Sequence, residues 1–457
     1  MKEKVEITFL GAAGTVTGSK FLLSHAGTTI LIDCGLFQGM KELRLMNWEP
    51  LPTDVHKIDA VLLTHGHLDH VGYLPRLHQQ GFNGLIYGTG PTLAIAEIIL
   101  EDSAKIQEEE ASRANRDGYT KHDPALPFYS VEQAKQTIGL FREVPLDRWQ
   151  SVGPHIQYRM MYNGHILGSA YIELQIKGKI FIFSGDVGRP NDPLLYDPKK
   201  PVEADYLFVE STYGDREHPK DDFEEVMGEL IEQTLADRGV LVVPSFAVER
   251  LQALMFLLWT GQRGSKIPYI PIYVDSPMGN RVLEVFSRFL DWHKLSDKEF
   301  RHMFDHAHVI TSYEQTWEVI NKKGPKIVIA GSGMVTGGRV LTYLQQLIDD
   351  PSTRVLLVGY QAEGTRGRHL KEGTDSLKIY GKQVPVRAEI HAIDSLSAHG
   401  DQSDLLAWMS AISNPPEAVY LIHGEPQAQK VFAKKIEEQF GWPVHIPQLY
   451  ETIRISV

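Results

Sequence analysis

Three histidines and an aspartate, His65, His67, Asp69 and His70, fall within six residues of one another in Thr64-His65-Gly66-His67-Leu68-Asp69-His70. Neutral imidazole and carboxylate are ligands that suit Zn²⁺ and similar divalent ions. Four such groups so close together exceed what one tetrahedral ion takes while keeping a position open. The spacing therefore suggests two neighbouring metals, with His65 and His67 serving one and Asp69 and His70 the other. The bland alternative is a polar turn that happens to carry histidines. With 19 histidines in the chain, a chance match to the pattern is on the order of a few in a thousand. The metal reading is preferred.

Further candidates sit where strands appear to stop. Ile58–Leu63 is an apolar, β-rich run, and Val71–Leu77 reads as a short helix, so the cluster occupies the loop leaving a buried strand. Asp33 likewise ends the run from Thr28 to Ile32. It suits either the orientation of a histidine ligand through its second ring nitrogen or a turn cap. His165 and Asp186 follow strands in small-residue contexts, and with the first cluster they supply a third histidine for one site and a bridging carboxylate. Glu210 ends the apolar strand from Tyr206, while His399 and His423 stand at element ends beside glycines. Cys34 reads as packing.

The surrounding elements set the architecture. The first third is β-rich, with a helix over Pro91–Arg116, a polar loop over 119–127, a short helix over Val131–Phe141 and a glycine-turn hairpin over Tyr171–Asp186. The Glu108-Glu109-Glu110 run is a solvated helix face. After Gly214 helix and strand alternate, beginning with an amphipathic helix from Phe223 to Arg238 capped by Asp221 or Asp222. That alternation predicts a doubly wound, largely parallel sheet inserted into the first domain. From Val386 the texture is β-rich again.

At 457 residues, with 42% hydrophobic content, the chain predicts two or three domains with sizeable cores. No apolar run approaches a membrane span and the start lacks a signal-peptide core, so no membrane association is expected. A single cysteine fits a reducing compartment, and the cytoplasm is the expected location. The net charge of −12 sits awkwardly with nucleic-acid binding, although a metal-bearing cleft can be locally positive on an acidic body.

The order Asp33, THGHLDH, His165, Asp186 resembles the motifs of the metallo-β-lactamase superfamily. Glu210 in VESTYG, His399 in SAHGD and His423 in IHGEP are similar to the later motifs of its β-CASP branch of nucleases. PSFAVERLQ, VDSPMGNRV, IVIAGSGMVTGGRVL and GYQAEGTRGR look like signatures of the insert. The resemblance implies an α/β fold: an αββα metallo-β-lactamase sandwich split in sequence (1–212 and 388–457) around a β-CASP domain (213–387) that roofs the cleft. It implies two Zn²⁺, one held by His65, His67 and His165, the other by Asp69, His70 and His423, with Asp186 bridging and Asp33 behind. A hydroxide bridging the metals would attack phosphorus, leaving 5′-phosphate and 3′-hydroxyl. Asp69, His399, Glu210 and Asp33 form the catalytic set, His399 as general acid and Glu210 orienting or recharging it. A histidine at the position of His423 goes, in that family, with RNA rather than DNA.

Phosphate binding is assigned to Ser332, Gly333, Thr336 and Gly337, whose exposed amides could cradle an anion, and to Arg250, Arg366 and Arg368. Residues 361–387 carry six Lys/Arg against three Asp/Glu. His302, His306 and His308 read as surface or packing residues. The main expectation is a zinc-dependent ribonuclease on single-stranded RNA, acting as an endonuclease. Alternatives are a 5′–3′ exoribonuclease, a thioester or lactam hydrolase of the same superfamily, and an RNA-binding scaffold. The family also makes a homodimer an expectation, and no appended RNA-binding domain is expected at either end.

Overall fold

The computed structural model describes residues 3–117, 122–219, 222–393 and 396–457. Asp221 and residues 119–121 of the expected loop lie outside them. The chain divides into two compact units, one formed by Met1–Pro190, Asp197–Glu217 and His399–Val457, the other by Asn191–Tyr196 and His218–Ala398.

The first unit holds two seven-stranded sheets. In spatial order the first runs Thr452–Ser456, Lys4–Phe9, Phe21–His25, Thr28–Ile32, Ala60–Leu62, Leu85–Gly88 and Phe141–Glu143. The second runs Val444–His445, Ala418–Ile422, Tyr206–Glu210, Lys179–Phe183, Ala170–Ile176, Ile156–Tyr162 and Gln150–Val152. Their facing sides share one core, in which Val5, Ile7, Phe9, Ile30 and Leu62 meet Met160, Ile172, Phe183, Phe208 and Ile422. Phe183 and Phe208 stack at 4.2 Å and Phe208 and Tyr420 at 4.7 Å, a ladder of rings across neighbouring strands. Such pairs add to the stabilisation from area burial.

Helices cover both outer faces. Helices Gln402–Met409 and Pro426–Phe440 bring Trp408, Phe432 and Ile436 onto Ile182, Leu207, Val209 and Leu421 of the second sheet. Helix Gly90–Asp117 packs on strands Leu85–Gly88 and Phe141–Glu143 of the first. The result is the αββα sandwich. It explains the pattern of strand Tyr206–Glu210, buried at every position: a strand covered on both faces reads as an unbroken apolar run. Lys4–Phe9, towards the sheet margin, alternates instead.

The second unit is built on six strands, all parallel, in the order His308–Val309, Ile272–Asp275, Lys326–Ala330, Val240–Pro244, Thr353–Val358, Glu389–Ile393. The chain moves one way from Val240–Pro244 and the other way from Lys326–Ala330, so the loops after these adjacent strands open a switch point, where ligands of doubly wound sheets bind. Asp222 caps helix Phe223–Ala236 by accepting from the amides of Glu224 and Glu225.

The boundaries differ from expectation at both junctions: residues 213–217 stay with the first unit and Asn191–Tyr196 joins the second. Strand Glu389–Ile393 pairs with Thr353–Val358 and belongs to the inserted unit, and the first unit resumes only at His399. A β-rich stretch looks the same whichever sheet edge receives it. Among the described residues no helix is long and apolar enough to cross a membrane, and Cys34 is a buried free thiol.

Candidate metal centre

Every residue of the centre lies in the first unit, at the end of a strand or just beyond it. Thr64 and His65 leave strand Ala60–Leu62, and the helical turn Leu68–Val71, which His67 precedes, carries Asp69 and His70. The main chain of this turn is held from behind: Ser19 N donates to Asp69 O at 2.8 Å and Cys34 N to His70 O at 2.7 Å. Gly35 permits that approach, since a Cβ there would lie 1.5 Å from Asp69 O. Asp33 and His423 leave their strands with left-handed backbone, φ +56° and +47°, a conformation non-glycine residues rarely adopt and one that concentrates at functional sites.

Two donor sets result. His65, His67, His165 and Asp186 form one, and Asp69, His70 and His423 another, with the ligand atoms of each within 4.8 Å of one another. In the first set His65 Nε2 and His165 Nε2 lie 3.1 and 3.2 Å from His67 Nδ1, and 3.4 and 3.5 Å from Asp186 Oδ2. In the second His70 Nε2 lies 3.3 Å from His423 Nε2 and 3.9 Å from Asp69 Oδ2, and His423 Nε2 is 3.4 Å from Asp69 Oδ2. The other Asp186 oxygen, Oδ1, lies 3.4 Å from His70 Nε2, so one carboxylate faces both sets. A tetrahedron with arms of about 2.0–2.1 Å has edges of about 3.3 Å. Most of these separations match that edge, and the residues therefore fit a pair of zinc-like cations.

The electrostatics point the same way. Burial, reinforced by His70, holds the His65 imidazole well below its ordinary pKa, and burial takes His67 down to about 4. Both are neutral near pH 7, with a lone pair available and no proton to displace. Burial works against charge on Asp186, but His423, His70 and His65 outweigh it and hold that carboxyl well below the usual range. For His70 burial is outweighed by Asp186 and Asp33, which push its pKa well up. A buried imidazolium between carboxylates marks a place that favours positive charge, and a cation can take that role.

The tautomers follow from a network centred on Thr64 and Asp33. Asp33 Oδ1 accepts from Thr64 N at 2.8 Å, and Oδ2 accepts from Thr64 Oγ1 at 2.8 Å and from His70 Nδ1 at 2.7 Å. Thr64 Oγ1, with its own proton given to Asp33, accepts from His65 Nδ1 at 3.1 Å. His65 and His70 thus both present Nε2 lone pairs inward, and Asp33 takes the orienting role rather than a turn cap. Thr64→Val keeps the shape and removes the hydroxyl. We expect zinc affinity, read by competition with a chromophoric chelator, to fall about 10–100-fold, with the melting temperature little changed.

Beside the donor sets stands a second dyad. His399 Nδ1 lies 3.2 Å from both oxygens of Glu210, and its ring is 4.4 Å from that of His165. Glu210 also accepts from Val187 N and Thr212 Oγ1, each at 2.6 Å, which fixes the carboxylate behind the imidazole. Burial opposes charge on His399, but Glu210 outweighs it and its pKa is pushed up to about 9.

Three positioning residues were not singled out from the sequence: Thr64, Asn163 and Thr212. Asn163 Nδ2 donates to Ser184 O and Asp186 O at 2.7 and 2.6 Å, pinning the loop that presents Asp186. Thr212 Oγ1 contacts His423 Nδ1 at 3.2 Å as well as Glu210. Each lies within two residues of a candidate ligand or of Glu210, the only signal the chain offers.

The residues expected to bind phosphate lie in the second unit. Ser332, Gly333, Thr336 and Gly337 follow strand Lys326–Ala330 at the switch point. Ser332 Oγ accepts from the amides of Thr336 and Gly337, each at 3.1 Å, so the hydroxyl closes this loop on itself. Arg366 donates to the carbonyls of Lys378, Val335 and Thr336, and Arg368 pairs with Glu372 at 2.6 Å. Arg250 is buried beside Glu249, at 3.7 Å, with its Nε making no hydrogen bond. The other histidine group forms no site: His306 bonds Gln262, His308 stacks on Tyr273 and His302 lies against Trp259.

Residues 14–238 match the family model of the metallo-beta-lactamase superfamily, 251–370 the Beta-Casp domain, and 383–447 the Zn-dependent metallo-hydrolase RNA specificity domain. The chain belongs to the metallo-β-lactamase superfamily, whose sandwich and clustered donors it shares. Within that superfamily it is a member of the β-CASP branch, as the inserted unit and the last match require. It is 35% identical to Ribonuclease TTHA0252 of Thermus thermophilus, over 93% of this chain and 94% of that protein. It is 28% identical to Transcription termination factor FttA of Methanocaldococcus jannaschii, over 99% of this chain and 72% of that one. A crystal structure of a protein of unknown function from Enterococcus faecalis V583 has the same fold at 12% identity, with a TM-score of 0.54 over 99% of this chain and 100% of that one.

Proposed function

We propose that this protein is a zinc-dependent ribonuclease that cleaves single-stranded RNA internally, leaving 5′-phosphate and 3′-hydroxyl ends. The observation that carries the reading is the pair of donor sets sharing Asp186, flanked by the His399–Glu210 dyad. A relative 35% identical over nearly the whole chain is named a ribonuclease, and His423 stands where the family resemblance associates histidine with RNA.

His65, His67 and His165 would hold one cation and Asp69, His70 and His423 the other, with Asp186 offering an oxygen to each. What such a pair supplies when bound is activation of water near neutral pH and stabilisation of charge on phosphate. Asp33 and Thr64 keep His65 and His70 aimed inward. His399 gives a proton to the departing 3′ oxygen, and Glu210 keeps the imidazole charged and oriented. In the second unit Ser332, Gly333, Thr336 and Gly337 shape the loop that meets the substrate strand. Arg368, half exposed, and Arg250, buried beside Glu249, are the cations of that unit assigned to phosphate, while Arg366 is engaged by three carbonyls. The single buried thiol suits a reducing cytoplasm.

The test is a circular single-stranded RNA incubated with zinc-loaded protein, with Asp186→Ala as control. A circle has no end, so we expect wild-type protein to linearise it and the control to leave it intact. Degradation of linear RNA alone would make the enzyme an exonuclease, and inertness toward both would return the chain to small-molecule hydrolysis.

A further inference from the structure

Three aromatic side chains of the second unit stand out in solvent within one small area. Tyr313 is 49% exposed, Trp317 37% and Tyr380 47%, and no large aliphatic side chain between residues 308 and 393 is exposed. Tyr313 and Trp317 occupy successive turns of one face of helix Tyr313–Asn321, with ring centroids 6.3 Å apart. Thr342, itself buried, ties the patch together, because its Oγ1 lies 3.2 Å from the Tyr313 hydroxyl and 3.4 Å from the Tyr380 hydroxyl. The polar ends of both tyrosines are thereby anchored. The Arg339 guanidinium lies 4.7 Å from the Tyr313 ring centre.

Tyr380 is placed at a cost. It and Gly381 turn the hairpin between Ser376–Ile379 and Lys382–Pro385 with φ +46° and +81°, a two-residue turn that favours asparagine or glycine at its first position. A bulky aromatic in that conformation is an outlier of the kind found where a side chain serves a ligand. The hairpin also brings Lys378 and Lys382 alongside it, in a segment with six Lys/Arg against three Asp/Glu in a chain of net charge −12. Arg366 joins the carbonyl of Lys378 to those of Val335 and Thr336, so the patch is continuous with the switch-point loop.

We propose that Tyr313, Trp317 and Tyr380 form a base-stacking platform that holds single-stranded RNA on the inserted unit, with Lys378, two residues from Tyr380 in the hairpin, available to its phosphates. Tyr313 and Trp317 meet edge to face at 88°, and exposed rings with anchored hydroxyls and cations nearby are what sequence-tolerant binding of single strands uses. The lysines of the hairpin favour a negatively charged strand, while a protein interface, which also enriches Tyr, Trp and Arg, is the alternative that the test separates. The inference rests on the ribonuclease reading, and its test separates the two.

The zinc-loaded full-length protein is titrated with nuclease-resistant phosphorothioate oligo(A) and with an abasic strand of equal length and linkage. Wild type should prefer oligo(A) by about tenfold or more. Tyr313→Ala/Trp317→Ala should lose most of that preference while the salt dependence, set by phosphate contacts, stays the same. Trp317→Phe should keep it. An unchanged preference in the double variant overturns the platform and leaves the ribonuclease standing, as does an equal loss for both strands. Loss of self-association in sedimentation, with RNA binding intact, would make the patch a protein interface and also overturn it. Failure of wild type to bind either strand would instead remove the ribonuclease reading on which the platform rests.

Discussion

In Asp186→Ala we expect zinc content to fall below that of the wild type and RNA cleavage to drop by more than about a thousandfold, beyond the loss for a single stabilising donor. The reason is geometric. Asp186 Oδ2 lies 3.4 and 3.5 Å from the Nε2 atoms of His65 and His165, while Oδ1 lies 3.4 Å from His70 Nε2. One truncation therefore removes a donor from both sets and the negative charge that offsets two cations side by side. No neighbour can substitute. Glu210, which clusters with Asp186 and His423, is held by Val187 N, Thr212 and His399. Elemental analysis of the purified variant and single-turnover cleavage read the two effects separately. Two tightly bound zincs and near-normal turnover would reduce Asp186 to a structural role.

His399→Ala separates proton delivery from metal binding. His399 belongs to neither donor set, so zinc content should match wild type, while the cleavage rate falls about 10²–10⁴-fold, the usual worth of a positioned general acid. Substrate chemistry gives a sharper readout. An RNA whose departing 3′ oxygen is replaced by sulfur releases a thiolate that needs no proton, and the variant should cut it at close to the wild-type rate. Glu210→Gln should show a smaller defect in the same direction, because the imidazole keeps a hydrogen-bond partner but loses the charge behind it. If sulfur gives no rescue, His399 acts on something other than the leaving group.

Much of the centre was legible because its residues announce themselves by type and place. His65, His67, Asp69 and His70 crowd one turn, and Asp33, His165, Asp186, Glu210 and His423 each follow an apolar run, as strand ends do. What could not be read is whatever depends on a partner far away in the chain. Thr64 looks like a β-branched strand residue until Asp33 is seen to accept from it. Arg366 and Arg368 look like free cations beside glycines, yet three carbonyls and Glu372 occupy them. Strand Glu389–Ile393 has the texture of the returning sandwich but pairs in the other unit. Type and local period are written in a segment, whereas its neighbour across a sheet is decided by the whole chain.

The split of the sandwich around its insert has a consequence for biosynthesis. Strand Lys4–Phe9 pairs with Thr452–Ser456, made long after it, and His70 meets His423, 353 positions further along the chain. A ribosome delivers residues in order, so a nascent chain halted between Asp186 and His399 carries every residue of one donor set but lacks His423 of the other, and His399 as well. Such contacts, distant in sequence, form late in folding. The complete centre then exists only once His423 has been made, and a chain halted earlier lacks the second donor set.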